Sequence, residues 1–86
     1  MIHINDTIIC DEIEGGAALL DPVKENIVIL NEQDYFVLKA AQVMKMDELI
    51  KHVLSRYQGD AETIERDIIN YFQKLAENEF ITILKE

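Results

Sequence analysis

The sequence predicts an α+β fold: a three-stranded antiparallel sheet followed by three helices that share one of its faces. Three observations point there. The first 31 residues are rich in Ile, Val and Leu and hold the Gly15-Gly16 pair. At Asn31 the apolar spacing changes from a strand pattern to a helical one. A chain of 86 residues has room for a single domain over 1–86, so the helices must cover the sheet to make a core.

The strands come first. Ile2, Ile4, Ile8 and Ile9 are interspersed with polar residues. Ile8, Cys10 and Glu12 fall on one strand face, and Ile9, Asp11 and Ile13 on the other. Gly15-Gly16 breaks the pattern, and Ala17 to Leu20 form a second strand. Asp21-Pro22 opens a turn, with the proline suited to its second position. Lys24, Glu25 and Asn26 complete a polar loop. Ile27 to Leu30, β-branched in three of four positions, form the third strand. A meander over about residues 7–31 follows.

Three helices come next. Asn31 is a good N-cap, with Glu32 and Asp34 where the helix dipole favours acids. The first helix spans about 32–44, and its nearly all-round apolar character predicts a central, buried position. The second spans about 47–58, with Leu49, Ile50, Val53, Leu54 and Tyr57 on one stripe. Gly59 suits a left-handed helix end, and Asp60 caps a third helix over about 61–78. Its stripe is Ile64, Ile68, Tyr71, Phe72 and Leu75. Asn78 stops it, and Phe80 to Leu84 can add a short strand or a packed tail.

Composition narrows the function. Hydrophobic residues are 49% and charged residues 29% of the chain, which excludes simple disorder. Seventeen acids against eight Lys and Arg give a net charge of −9. Such a chain is a poor ligand for nucleic acid or an anionic membrane, and it suits a basic peptide or protein partner. No apolar run can span a bilayer, and no signal-peptide pattern is visible. A lone Cys10 cannot form an internal disulfide, so the expectation is a reducing, cytoplasmic setting.

No catalytic set emerges. His52 lies on the polar side of the second helix and reads as solvated surface. His3 is near a terminus and is expected to be mobile. His3 and Cys10 match no zinc spacing, and Cys10 has no neighbouring base. The Asp11-Glu12-Glu14 and Asp60-Glu62-Glu65-Asp67 runs lack calcium-loop spacing and read as solvated faces. Gly15-Gly16 precedes a strand, so it is a turn and not a phosphate loop. The expectation is a chain with no cofactor or metal that is not an enzyme.

One feature stands apart. Ile27, Val28, Ile29 and Leu30 are apolar without a break, although a sheet covered on one face should alternate. Either Ile27 with Ile29, or Val28 with Leu30, has no helix to cover it. This strand is last in the meander, so one of its edges is free. A free edge beside an apolar groove can take an extended peptide as an added strand. The competing outcome is that Phe80 to Leu84, or a second subunit, covers it.

The stretch Gly15 to Pro22, then Ile29-Leu30-Asn31-Glu32, Asp47 to Ile50, Tyr57, Gly59, and Asp67 to Phe72 with Leu75 and Phe80, resembles the PqqD-like family of precursor-peptide recognition elements. These serve the biosynthesis of ribosomally made, post-translationally modified peptides. The resemblance covers about residues 7–81. It implies a winged helix-turn-helix-like fold and a non-catalytic, cytoplasmic peptide chaperone. It also implies that the leader of a precursor adds to the third strand, Ile27, Val28, Ile29 and Leu30, and lies against Ile64, Asp67, Ile68 and Tyr71 of the third helix. The implied partners are the precursor and a modifying enzyme such as a radical SAM maturase or a leader peptidase. A homodimer is a further partner to test. Glu79 departs from the pattern, because a glycine often ends the third helix there. Two alternatives compete: a winged-helix nucleic-acid-binding regulator, disfavoured by Glu62, Glu65, Asp67 and Glu77 on the third helix, and a structural dimerisation subunit.

Overall fold

A computed structural model describes residues 1–85. The elements in chain order are β1 (Ile2–Ile4), β2 (Ile9–Ile13), β3 (Gly16–Asp21), β4 (Asn26–Asn31), α1 (Glu32–Ala41), α2 (Met46–Leu54), α3 (Ala61–Glu77) and β5 (Ile81–Ile83). The expected meander is β2-β3-β4, antiparallel throughout, and the three helices follow it. The α+β expectation therefore holds.

The turns set the register. Gly16 begins β3 opposite Ile13 and Asn31. A Cβ there would collide with the Leu30 carbonyl, so only glycine lets β3 and β4 close up at this point. At the other end Asp21 is buried, and its Oδ1 accepts from the backbone N–H groups of Val23 and Lys24, both at 3.1 Å. That is an Asx-type turn, and Glu25 completes it at φ 58°.

Asn31 and Asp60 cap α1 and α3 as expected. Asn31 Oδ1 accepts from Asp34 N–H at 2.7 Å, and Asp60 Oδ2 from Thr63 N–H at 3.1 Å. The helix ends differ from expectation. After Ala41 the N–H groups of Val43 and Met44 both turn back to the Ala40 carbonyl, so α1 stops three residues early and Val43 points into solvent. Lys39 is exposed while Val37, Leu38, Ala40 and Ala41 are buried; α1 is one-sided and not buried all round. The second helix ends at Leu54, where Arg56 and Tyr57 N–H both reach back to the Val53 carbonyl. Gly59 is not left-handed. Its place is explained by crowding, since a Cβ would lie 2.9 Å from Ile64 Cδ1.

The tail settles where the open edge lies. Strand β5 pairs with β1, placing His3 opposite Thr82. Asn5 holds the junction: its N–H donates to the Phe80 carbonyl (3.1 Å), its Nδ2 to the Glu79 carbonyl (2.7 Å), and its Oδ1 accepts from Thr82 Oγ1 (2.6 Å). Ile2, Phe80 and Ile81 are buried beneath. The amino-terminal segment is therefore tied into the fold, and His3 Nε2 lies 3.1 Å from Asp6 Oδ1, contrary to the expected mobility. The core joins Leu19 and Leu30 of the sheet to Leu38, Leu49, Val53, Phe72 and Leu75 of the helices. Alpha1 packs on β3 and β4, and α3 packs on α2 and β5.

Candidate functional site

Strand β4 is hydrogen-bonded to β3 on one side, and among the described residues nothing pairs its other side. The alternation left open by the sequence is resolved. Leu30 is 1% exposed and Val28 is half-buried against the core, whereas Ile27 and Ile29 are 59% and 62% exposed on the opposite face. No residue of β4 carries a charge, although charges are the usual guard of a free edge.

The other border of the sheet is guarded. Strand β2 carries Asp11 and Glu12, and the Tyr35 hydroxyl of α1 donates to Glu12 Oε1 at 2.6 Å. Lys39 Nζ sits 3.8 Å from the same oxygen. Charge and a helix-to-strand tether thus make β2 a poor acceptor of a further strand. This bond also pushes the Tyr35 phenol up to about 12, chiefly through the Glu12 acceptor.

Helix α1 follows β4 directly. The first turns of α1 and the middle of α3 enclose a cavity of about 120 Å³ lined by Gln33, Asp34, Val37, Val53, Ile64, Asp67, Ile68 and Tyr71. All four helix residues expected from the sequence line it. None of Ile27 to Leu30 does; the strand adjoins the cavity through Asn31, whose cap on Asp34 fixes the first turn of α1 at the cavity wall. Gln33, Asp34, Val37 and Val53 were not anticipated. The signal for Asp34 was present in the Asn31 cap, because a capped first turn beginning at a strand end must stand beside that strand.

The cavity wall combines apolar Val37, Val53, Ile64 and Ile68 with the acids Asp34 and Asp67. Burial pushes the Asp34 carboxyl up, opposed by a backbone hydrogen bond from Asn31. Tyr71 is pushed to about 12, first by burial and then by the Asp34 charge. Its hydroxyl is buried and has no hydrogen-bond partner among the described residues. Asp34 and Asp67 have no cationic partner among them either. A wall of this kind fits a side chain with an apolar stem and a donor at its tip.

Other candidate groups fall away from the cavity. His52 is half-buried, not solvated: its ring stacks on Phe36 at 4.7 Å and 11°. Arg56 lies over the same phenyl ring and binds Glu32 Oε1 at 2.9 Å, so this cluster clamps α2 to α1. Cys10 is exposed, and burial followed by Glu12 and Asp11 raises its thiol pKa, which disfavours the nucleophilic thiolate. Among the described residues, no three His, Cys, Asp or Glu side chains converge as a ligand set. No helix there is long and apolar enough to cross a membrane.

Comparison with known proteins bears on the fold and family. No curated protein sequence matches the chain. Two solved structures superpose closely. One, "TbiB1 in Complex with the TbiA(beta) Leader Peptide", is 19% identical with a TM-score of 0.84, covering 96% of this chain and 98% of that one. The other, "Lasso peptide synthetase B1 complexed with the leader peptide", is 19% identical with a TM-score of 0.87, covering 95% and 98%. At that identity they establish the fold. Residues 16–81 match the family described as Coenzyme PQQ synthesis protein D (PqqD); that span runs from the glycine opening β3 to the first residue of β5, and the chain belongs to the PqqD family.

Proposed function

We propose that the chain binds the leader segment of a ribosomally made precursor peptide as an added strand on β4, and presents the remainder to a modifying enzyme without performing chemistry itself. The observation that carries this reading is the uncharged, unpaired β4 edge next to the α1–α3 cavity. Both solved structures with this fold hold a leader peptide, which supports the same role here.

The energetics divide into two parts. Backbone pairing along β4 contributes about 0.5–1.5 kcal/mol per hydrogen bond and is indifferent to sequence. Selectivity comes from leader side chains that reach Ile64, Ile68 and Val37, each contributing roughly 1.5–3 kcal/mol when buried. Asp34 and Asp67 favour a basic residue among them, an effect that weakens with salt. Duplex DNA is disfavoured by the acids along α3.

Titrating the leader of the precursor into isotope-labelled protein tests the reading. Amide shifts should concentrate at residues 26–34 and 64–71. Shifts centred on β2, or none at saturating peptide, overturn it.

A further inference from the structure

The sheet has a second apolar surface that no helix covers. Cross-strand register places Ile9, Leu20 and Ile27 in one row, Asp11, Ala18 and Ile29 in the next, and Ile13 with Gly16 and Asn31 in the third. These rows share the face opposite the core. Ile9 and Ile13 are 52% and 44% exposed, which with Ile27 and Ile29 makes four isoleucines on one small face. A contiguous apolar patch of this kind marks an interaction surface.

We infer that this outer face docks a protein surface with an apolar centre and a basic rim, carried by the enzyme that acts on the peptide. The inference rests on the leader-binding reading and goes beyond it. Three arguments select the occupant. A leader strand adds beside β4, and Ile9 and Ile13 lie two strands away, about 10 Å, so the leader cannot cover them. A second copy stacked face to face would set the Asp11 rows against each other in two chains of charge −9 each. The charges around the patch are acidic and free: Asp11, Glu14 and Glu25 have no cationic partner among the described residues, while the nearby Lys24 is paired with Glu79. The face is also continuous with the proposed site, because Ile27 and Ile29 belong to both. A partner seated here touches the bound leader and so recognises the loaded chain.

The test is the double variant Ile9→Lys/Ile13→Lys, with Ile9→Thr/Ile13→Thr as the milder form should the first fail to fold. Leader affinity is read by anisotropy of labelled leader peptide. Conversion of full-length precursor is read with the purified enzyme that processes it when the wild-type chain is supplied. Leader affinity should stay within about twofold, and conversion should fall about tenfold or more. Asp11→Lys should slow conversion in the same direction. Unchanged conversion in the double variants overturns the inference, as does a wild-type dimer in solution that these variants dissolve. Loss of leader binding by the wild type strikes the earlier reading instead, so the two failures are distinct.

Discussion

The Tyr35 hydroxyl bonds Glu12 across the inner mouth of the sheet at 2.6 Å, and this one tether makes its two borders unequal. On the β2 side α1 is fastened down over an acidic strand. On the β4 side α1 starts directly from the strand end, and its first turns line the cavity together with α3. Within the three-stranded sheet, β4 is thus the border that joins unpaired backbone groups among the described residues to a neighbouring place for side chains.

Substitutions on β4 should separate binding from folding. Val28 is half-buried on the core face and Leu30 is 1% exposed. Val28→Arg can send its guanidinium out past the open edge, so the fold should survive while leader affinity falls about tenfold or more. Leu30→Arg buries an unpaired charge and should unfold the domain. Circular dichroism beside leader anisotropy reads both. Intact leader binding in folded Val28→Arg would contradict strand addition on β4.

The acidic wall predicts a salt signature. Asp34 and Asp67 face one cavity and lack cationic partners among the described residues. Asp34→Asn/Asp67→Asn should weaken binding of a leader bearing Lys or Arg and flatten the dependence of Kd on ionic strength. A leader whose basic residues are replaced by Gln should be insensitive to the double variant.

Much of this was legible in the residues. Asn31 and Asp60 are caps because their short polar side chains can reach the N–H two or three positions on, and both do. The unbroken apolar run 27–30 by itself implies an uncovered face. What could not be read was long-range. Nothing local in Asn5 tells that it will bind Glu79, Phe80 and Thr82, yet those bonds draw the tail to β1 and leave β4 open. Helix ends were misplaced for a related reason: Val43 and Met44 continue the apolar spacing, and only the backbone bonds to Ala40 show that the helix has stopped. The α1 side of the cavity was missed because Gln33 and Asp34 look like ordinary first-turn residues until α3 is placed across from them.

Glu79 adopts φ 63°, a left-handed conformation that costs an L-residue about 1–2 kcal/mol. Glu79→Gly should remove that strain. Against it stand the larger chain entropy of glycine, about 0.5–1 kcal/mol, and loss of the exposed pair with Lys24, worth about 0–1 kcal/mol. The expected net gain is about 0.25 kcal/mol, or about 1–2 °C in Tm. Since the Asn5 bond goes to the Glu79 backbone carbonyl, the β1–β5 junction should persist. A lower Tm in thermal denaturation would show that glycine's chain entropy and the lost Lys24 pair together outweigh the strain.

Tyr71 should show opposite signs for stability and binding. Its hydroxyl is buried and unpartnered among the described residues, a cost of about 1–3 kcal/mol when fully unmet. Tyr71→Phe deletes that group at almost constant volume and should raise the stability of the free protein by up to about 1 kcal/mol. If an arriving leader supplies the missing partner, the same change should weaken its binding by about 2- to 12-fold. Alkaline titration gives an independent check. Burial pushes the folded phenol up to about 12 from its ordinary value of 10, so the folded state holds the proton more tightly than the unfolded one. Stability is then full below about pH 10 and falls as pH rises toward about 12. Tyr35, also raised to about 12, keeps part of this loss in the variant, but Tyr71→Phe should make the decline shallower in denaturant melts across that window. A variant that is more stable and binds leader as tightly as the wild type would remove the hydroxyl from recognition and leave it as a packing defect.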